Sequence, residues 1–444
     1  MEIYNISRYT FFFATSKDDY LVYNSRMNSF FKLSKSLFDI LSDYKINNRE
    51  FNNSEFDNDL IQHLLEQKIV VKDKDDDIYV LEQQFEFYRK VYSQDNLKIT
   101  LAPTTACNFK CPYCFEKNKK STFIKEKTIL NLVDFINDHE NAKKLYLTWY
   151  GGEPLLAINQ IDRILTLISE KTNLEIVHHN IITNGYLFDK RAIAVFKKFP
   201  LNSIQITLDG LKDTHDESRI LIGSEKGSFD TILNNIHTII SEMPETYILI
   251  RVNIDNNNRE IFSDVWNFFY KELKINTNRL SVYPGFIKTM NSKRNCWDCT
   301  TLSFHDKKDF YFDLQDKKGI NVHFYPNKKD KGCIATQLNG YVVGPEGELY
   351  RCWYDVGNKS KVWGHIQDNR LENKTLFHKY MITGNCFADE ECKRCAFLPI
   401  CNGGCPNDRV KNLYDNGQFN LCTVYKDPKI MEKCLERYYE KINE

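Results

Sequence analysis

Six short apolar runs dominate the middle of this chain, and their alternation with helical patterns constrains the fold more than any other feature. The runs lie between about residue 97 and residue 285 and read LKITLAPT, KLYLTWYGG, LEIVHHNIITNG, SIQITLDG, YILIRVNID and RLSVYPG. Between them apolar residues recur at helical spacing, as at Ile129, Leu132, Val133 and Ile136. This alternation predicts an α/β fold, in which six strand–helix units with right-handed crossovers form an open or partial barrel.

The residues that can carry chemistry follow these predicted strands directly. They are a three-cysteine loop after the first strand, Gly151–Gly152–Glu153–Pro154, Thr183–Asn184–Gly185 and Asp209–Gly210. In parallel α/β folds the functional site lies at the carboxyl ends of the strands. We therefore expect these motifs to lie close together at the carboxyl-terminal edge of the sheet.

The three-cysteine loop reads CNFKCPYCFE over residues 107 to 116, with the spacing C-x-x-x-C-x-x-C. Zinc sites usually close with four ligands in paired C-x-x-C knuckles. Three closely spaced thiolates without a nearby fourth instead suit a four-iron cluster in which one iron is left open. A zinc knuckle with a distant fourth ligand is the alternative interpretation.

Composition and charge argue against nucleic-acid-binding, membrane and disulfide-rich proteins. The 444 residues include 60 Lys plus Arg and 60 Asp plus Glu, so no net charge recruits nucleic acid or an acidic membrane. Neither a signal peptide nor an apolar stretch long enough to cross a bilayer is visible, and we expect a cytoplasmic protein. In a reducing compartment the 14 cysteines favour metal or catalytic roles over disulfides.

The sequence predicts four parts: an N-terminal module (1–95), the strand–helix section (96–285), a connector (286–330) and a cysteine-rich section (331–444). The first part contains no cysteine. Its segment YLVYNSRMNSFFKL alternates as a β-hairpin would, and SKSLFDILSDY and DNDLIQHLLEQKIV follow as short amphipathic helices. This order suggests a small winged-helix-like module; an extension without a role of its own is the alternative.

From about residue 97 to its end the chain resembles the radical S-adenosylmethionine (radical SAM) superfamily, whose barrel is a partial, TIM-like (β/α)6 sheet. The cysteine motif carries this resemblance together with the GGEP turn after the next strand. The resemblance implies that Cys107, Cys111 and Cys114 hold a [4Fe–4S] cluster. SAM would chelate the open iron and yield a 5′-deoxyadenosyl radical.

The same resemblance implies a set of SAM contacts. The backbone and carboxylate of Gly151, Gly152, Glu153 and Pro154 would receive the SAM ammonium, and Tyr113 would pack near the adenine. Asn184, Asp209 and Arg251, on later strand ends, would contact the carboxylate or ribose.

The C-terminal cysteines resemble the SPASM extension of peptide-modifying radical SAM enzymes, which carries one or two auxiliary [4Fe–4S] clusters. The pattern consists of Cys333, the interval Gly347-x-x-x-x-Cys352, the segment CKRCAFLPICNGGC and Cys422. By this resemblance Cys392, Cys395, Cys401 and Cys422 hold an outer cluster, whereas Cys333, Cys352 and Cys405 hold an inner one. A zinc ribbon of Cys392, Cys395, Cys401 and Cys405 is the alternative.

The fourth ligand of the inner cluster stays open at this point. Cys386, or one of Cys296 and Cys299, would fill it; otherwise the inner cluster keeps an open iron that can bind a substrate thiolate. Cys434 has no assigned place and is expected to be a free thiol.

The resemblance implies an iron–sulfur oxidoreductase that acts on a peptide or protein. We expect a maturase that oxidises or crosslinks, for example by a Cys thioether, a ribosomally synthesised peptide with a leader sequence. An electron donor such as flavodoxin or ferredoxin would supply the reducing electron.

Two other functions remain open. An anaerobic sulfatase-maturing enzyme would convert Cys or Ser to formylglycine, but such enzymes begin close to the cluster motif and place an Asp directly after the G-x-x-x-x-C cysteine. Here Trp353 and Tyr354 intervene before Asp355, our candidate catalytic proton acceptor. An iron–sulfur redox sensor or scaffold would not turn SAM over.

Overall fold

A computed structural model describes residues 2–114, 120–224, 226–287, 302–320, 325–367 and 372–443. Cys296 and Cys299, two of the expected alternatives for the inner cluster, lie outside these residues. The chain falls into two compact units. Unit 1 comprises Met1–Val91, Asn321–Cys333 and Ile382–Glu444, and unit 2 comprises Tyr92–Ile320 and Ile334–Met381. The predicted division into four parts stays a prediction.

The described strands and helices are numbered in chain order. The strands are β1 (Ile3–Ile6), β2 (Thr10–Ala14), β3 (Tyr20–Asn24), β4 (Ser29–Leu33), β5 (Phe51–Asn52), β6 (Val70–Lys72), β7 (Asn96–Leu101), β8 (Lys144–Trp149), β9 (Glu175–Thr183), β10 (Ser203–Leu208), β11 (Tyr247–Ile254), β12 (Leu280–Phe286), β13 (Gly340–Val343), β14 (Glu348–Tyr350) and β15 (Gly364–His365). The helices are α1 (Lys35–Ile46), α2 (Asn58–Glu66), α3 (Asp75–Tyr92), α4 (Glu126–Asn137), α5 (Ile158–Lys171), α6 (Lys190–Lys198), α7 (Lys212–Ser218), α8 (Phe229–Glu242), α9 (Ile261–Asn267), α10 (Phe304–Asp316), α11 (Lys374–His378), α12 (Glu390–Lys393), α13 (Pro406–Tyr414) and α14 (Pro428–Asn443).

Unit 2 is built on a nine-stranded, mostly parallel sheet with the order β12-β11-β10-β9-β8-β7-β13-β14-β15. The six predicted strands are β7 to β12, and each pairs in parallel with its neighbours in sequence. Along β8 the buried residues alternate with partly exposed ones, as expected of a strand with one face on a core. The predicted α/β class is therefore confirmed.

A late segment extends this sheet in a way that the sequence did not indicate. Strand β13 pairs in parallel with β7, and β14 and β15 follow as antiparallel strands. Residues Ala102, Val342, Tyr350 and Val356 form a small buried cluster behind the junction. Ala102, the residue that follows β7, is thus packed against the segment around Cys352.

Arg351, which directly precedes Cys352, is a buried organising residue of this extension. Its guanidinium donates to the carbonyl oxygens of Ala335 (2.7 and 2.9 Å), Gln337 (2.7 Å) and Gly340 (3.0 Å). A guanidinium has five N–H donors in a fixed fork, so one side chain can satisfy several carbonyls of an irregular segment. Arg351 therefore holds the turn that leads into β13.

Unit 1 contains an antiparallel sheet of order β2-β3-β4 and a second one of order β5-β1-β6. The predicted hairpin corresponds to β3 and β4, and the two predicted amphipathic helices correspond to α1 and α2. Their buried faces share one core, in which Leu41, Leu64 and Val70 are fully buried. The long helix α3 was not predicted.

The last helix of the chain belongs to the same unit. The ring of Phe30 on β4 lies 6.0 Å from that of Tyr438 on α14, and Glu436 accepts a hydrogen bond from the backbone of Ser16 at 2.7 Å. No helix among the described residues has the length and apolar character that crossing a membrane requires.

Replacement of Arg351 tests how far the β13 extension depends on it. We expect Arg351→Met to lower the free energy of unfolding of unit 2 by about 3 kcal/mol or more, because several buried carbonyls lose their donors. Arg163, which pairs with Glu126 on the surface, is the matched control, and Arg163→Met should cost less than about 1 kcal/mol. Thermal unfolding and hydrogen exchange over residues 334–343 are the measurements; unchanged protection in Arg351→Met would contradict this role.

Candidate functional site

The loop that follows β7 carries Cys107, Cys111 and Cys114 and is held in place by backbone hydrogen bonds. Lys110 N donates to Ile220 O at 2.9 Å, and Ile222 N donates to Asn108 O at 2.9 Å. The loop is therefore paired along one side with a distant extended segment. This pairing fixes its path without using any cysteine side chain.

The three cysteines of the loop form no disulfide; Cys111 is buried, and Cys107 and Cys114 are half-buried. Burial raises the pKa of the Cys107 thiol to about 12 and also raises the pKa of Cys111. A buried thiol with a raised pKa is a poor nucleophile, whereas bound iron supplies the positive charge that a thiolate needs. The chemistry of this loop therefore suits metal ligation.

The GGEP turn after β8 lies directly against the start of the cysteine loop. Gly152 N donates to Thr104 O at 3.1 Å, and Glu153 N donates to Ala106 O at 2.8 Å. A Cβ atom on Gly152 would lie 2.2 Å from Ala106 O, closer than any real contact. The glycine is thus required by this close approach of two backbones.

The carboxylate of Glu153 is fully buried and accepts three hydrogen bonds from the protein. Oε1 accepts from Leu155 N (3.0 Å) and Thr183 Oγ1 (2.7 Å), and Oε2 accepts from Asn184 N (2.8 Å). Burial raises the pKa of this carboxyl group, although the three donors counteract the shift. Glu153 therefore fastens the end of β9 to the GGEP turn, and its expected contact with the SAM ammonium stays a prediction.

Tyr113, between the second and third cysteines, is tied to the ends of two strands. Its hydroxyl donates to Asp209 Oδ2 just after β10 and accepts from Asn253 Nδ2 on β11 at 3.3 Å. Arg219 Nη1 also donates to the Tyr113 hydroxyl, at 3.0 Å, and lies 3.6 Å from Asp209 Oδ1. Arg251 reaches this network through Asn253, whose Oδ1 accepts from its Nε at 2.9 Å.

Three of the predicted SAM-contact residues are therefore joined in one network, and a further one, Asn184, lies close to the cysteine loop. Tyr113, Asp209 and Arg251 share the network, whereas Asn184 Nδ2 donates to Asn108 Oδ1 at 2.7 Å. Which atoms of SAM each would contact stays a prediction.

Sequence reasoning missed Asn108, Arg219 and Asn253. Asn253 had a signal, because residues two apart on a strand share a face and Arg251 was already a candidate. Arg219 follows α7, and nothing in its local pattern placed it beside Tyr113. His215 on α7 also gave little signal; it is fully buried, and its Nδ1 accepts from Asp209 N at 3.4 Å.

The site retains buried polar atoms that the protein itself does not satisfy. Within the described residues Asn108 Nδ2, Arg219 Nε and Asp209 Oδ1 have no hydrogen-bond partner, although Asp209 Oδ1 lies 3.6 Å from Arg219 Nη1. Buried polar groups without partners are rare, and an ordered water molecule, an ion or a ligand usually satisfies them. A polar molecule such as SAM, bound beside a cluster on the three cysteines, would fit these residues.

Asp355 lies in a short 3₁₀ turn formed by Trp353–Asp355 after Cys352. The side chain of Asp355 is buried, and Trp353 stacks on Tyr150, the residue before Gly151, with ring centroids 5.6 Å apart. The Cys352 turn is therefore beside the GGEP turn within unit 2. The role of Asp355 as a proton acceptor stays a prediction.

The C-terminal cysteines are divided between the two units. Cys352 belongs to unit 2, and unit 1 contains Cys333, Cys386, Cys392, Cys395, Cys401, Cys405 and Cys422. Cys386 is buried against Gly403, where an added Cβ would lie 3.0 Å from its Sγ. In the part of the chain that the structure describes, no three His, Cys, Asp or Glu side chains already form a group that could hold a metal ion. The inner and outer ligand sets stay predictions.

Residues 101–265 match the model of the Radical SAM superfamily, and the chain therefore contains a radical SAM domain. This family uses SAM and a [4Fe–4S] cluster.

Two relatives extend the similarity beyond that domain. A cysteine-type anaerobic sulfatase-maturating enzyme of Clostridium novyi is 25% identical over 74% of this chain and 94% of its own. The radical SAM cyclopropyl synthase TigE of Paramaledivibacter caminithermalis is 25% identical over 92% of this chain and 88% of its own.

Solved structures share the fold. Native anSMEcpe with bound AdoMet and the Cp18Cys peptide aligns with a TM-score of 0.58 at 18% identity, over 78% of this chain and 98% of that chain. Streptococcus suis SuiB bound to S-adenosylmethionine aligns with a TM-score of 0.51 at 16% identity, over 95% and 99% of the two chains.

The close approach at Gly152 gives a sharp test of the site. We expect Gly152→Ala to lower SAM affinity at least about tenfold, since displacing the cysteine loop needs to cost only about 1.4 kcal/mol to do so. Equilibrium binding of SAM to the anaerobically reconstituted protein measures this. Gly319→Ala is the control for a general loss of stability, because its φ of +64° strains an added side chain although a Cβ there meets nothing within 4 Å. Equal affinities in the two variants would show that the GGEP turn does not set the loop position.

Proposed function

We propose that this protein is a radical SAM peptide maturase that oxidises or crosslinks a ribosomally synthesised peptide carrying a leader sequence. The observation that carries the proposal is the extent of similarity. The match to TigE includes 92% of this chain, whereas the match to the sulfatase-maturating enzyme of Clostridium novyi includes 74%. The longer match, which reaches into the N-terminal part of unit 1, supports the proposal.

The site residues support the radical chemistry. When bound, SAM and the cluster would supply a carbon-centred radical that removes a hydrogen atom from the peptide. Cys107, Cys111 and Cys114 would hold the cluster, and the Gly152 contact would fix their loop. The Tyr113 network would position SAM at the carboxyl ends of β10 and β11, in the open partial barrel that we assign to the parallel sheet.

The N-terminal part of unit 1 would recognise the leader. Its sheet β2-β3-β4 ends in edge strands, and β4 is only partly buried. An edge strand offers unpaired backbone groups to which an extended peptide can add as a further strand. We propose that this winged-helix-like module binds the leader by strand addition.

The cysteine-rich region would act as a SPASM domain. Auxiliary clusters on the outer and inner cysteine sets would accept the second electron of the oxidation, and a flavodoxin or ferredoxin would reduce the radical SAM cluster. Cys386 remains a candidate ligand of the inner set.

Anaerobic sulfatase maturation is the second candidate function. The similarity to the Clostridium novyi enzyme spans 94% of that relative, and buried Asp355 follows Cys352 at a short distance in the chain. It differs from the first proposal in its product, a formylglycine aldehyde.

Turnover of SAM tests the radical chemistry independently of the substrate. We expect the reduced wild-type protein to cleave SAM to 5′-deoxyadenosine, and Cys111→Ala to lose essentially all of this activity because the cluster loses a ligand. Cys434→Ala, which removes a buried thiol of α14, is the control and should retain activity. Normal cleavage by Cys111→Ala would refute the assignment of the cluster.

The product distinguishes the two candidate functions. We expect anaerobic co-expression with a short cysteine-bearing peptide encoded beside the gene to give a product lighter by two hydrogen atoms. If a thioether forms, one thiol no longer reacts with an alkylating agent. Intact-mass analysis measures both changes. A peptide with a Cys-x-Pro-x-Arg motif is the comparison, and its conversion to an aldehyde would instead establish sulfatase maturation.

A further inference from the structure

Arg409, on the first turns of α13, is a buried cation with an unusual set of partners. Its side chain is almost fully enclosed, with 4% of the residue exposed. Nη1 donates to Asp389 Oδ2 at 2.8 Å, and Nη2 donates to Gly403 O at 3.0 Å and to Cys392 Sγ at 3.5 Å. All of these groups belong to unit 1.

These contacts connect Arg409 to two cysteines of the expected outer cluster. It reaches Cys392 directly, and it reaches Cys401 through Gly403, whose N–H donates to Cys401 Sγ at 3.3 Å. Gly403 has a φ of +80°, and an added Cβ would lie 2.7 Å from the Cβ of Cys386. The backbone at Gly403 is therefore fixed, and the guanidinium is fixed with it.

One N–H group of this guanidinium makes no hydrogen bond within the described residues. Arg409 Nε is buried and has no hydrogen-bond partner in the described part of the chain. A buried N–H without an acceptor costs about 1 to 3 kcal/mol. A buried cation beside the sulfur of Cys392 suits a site that gains negative charge, as an iron–sulfur cluster does on reduction.

Asp389 is the counter-charge of Arg409. Its Oδ1 caps α12 by accepting from Glu391 N and Cys392 N, and its Oδ2 accepts from Arg409 and from the Cys392 thiol. A metal-bound Cys392 is a thiolate and has no S–H proton to donate to Asp389. Arg409 then donates hydrogen bonds to both negatively charged groups, the Asp389 carboxylate and the Cys392 thiolate.

We propose that Arg409 sets the reduction potential of the outer auxiliary cluster by donating a charged N–H group to the Cys392 ligand. The proposal rests on the auxiliary clusters of the proposed function. Reduction adds one negative charge to a cluster, and a fixed positive charge with a hydrogen bond to a ligand sulfur stabilises that state. Arg409 is a positioning residue, since it acts through Cys392.

A purely structural role would leave the potential unchanged. In that case Arg409 and Asp389 would only join α13 to the start of α12, and their loss would reduce stability alone. The direction of a potential shift separates the two roles, because removing the cation and removing the anion must act with opposite signs.

The experiment is a redox titration followed by electron paramagnetic resonance in the full chain carrying Cys107→Ala, Cys111→Ala and Cys114→Ala, so that only auxiliary signals remain. The outer signal is the one lost on further replacement Cys395→Ala. We expect Arg409→Gln to move the midpoint potential of that signal to more negative values, and Arg409→Lys to move it less. Arg394→Gln, which removes an exposed arginine between Cys392 and Cys395, is the matched control and should not move it.

Asp389→Asn is a second test of the proposal, and it can be used even if Arg409→Gln does not retain its cluster. Asn caps a helix as well as Asp does, so this variant removes the charge while keeping the cap. We expect it to move the outer midpoint to more positive values. An unchanged midpoint in Asp389→Asn, or the same shift in Arg394→Gln as in Arg409→Gln, would overturn the role of Arg409.

Iron and sulfide analysis of the same preparations separates failure of this inference from failure of the proposed function. Iron for auxiliary clusters with unmoved midpoints rejects the role of Arg409 alone. Absence of auxiliary iron from the parent protein rejects the SPASM-type clusters and, with them, this inference.

Discussion

The close approach of two backbones at Gly152 is the constraint on which the site depends. The segment that leads from β7 into the cysteine loop and the turn that follows β8 share hydrogen bonds at Thr104 and Ala106, with no room for a side chain between them. Buried Glu153 then carries the same connection to the end of β9. Three neighbouring strand ends are thus joined by backbone and one carboxylate, and the cysteines are placed on a rigid base.

A second set of interactions reaches the same loop from the other side. Tyr113 joins it to Asp209 and Asn253, on the next two strands of the sheet, and Arg219 supplies the positive charge that a buried aspartate needs. The loop is therefore held between strands that are far apart in the sheet. The arrangement explains how a long irregular segment can be held at the ends of these strands.

Local periodicity and the positions of the strand ends allowed part of the fold and of the site to be predicted from the sequence. Strands β7 to β12 and helices α4, α5 and α8 have strong apolar patterns, and Gly152 and Asp209 follow strands directly, so both the sheet and the mouth of the site could be predicted. Strand β13 has only four residues and pairs with β7, which is far away in sequence, so no local signal reveals it. Arg219, Arg351 and Arg409 were missed because their partners lie outside their own helix or turn, and an arginine in such a position is usually exposed.

Unit 1 is assembled from three separate stretches of the chain, and this order has a consequence for how the protein is made. The hydrogen bond between Ser16 and Glu436 joins residues 420 positions apart. During synthesis the first 91 residues leave the ribosome long before α14 exists, so the contacts that complete their unit must wait for the last helix. Closing such a long loop late makes assembly slow in comparison with local folding. The face of β4 that packs against α14 therefore stays uncovered on the nascent chain until that helix has been made.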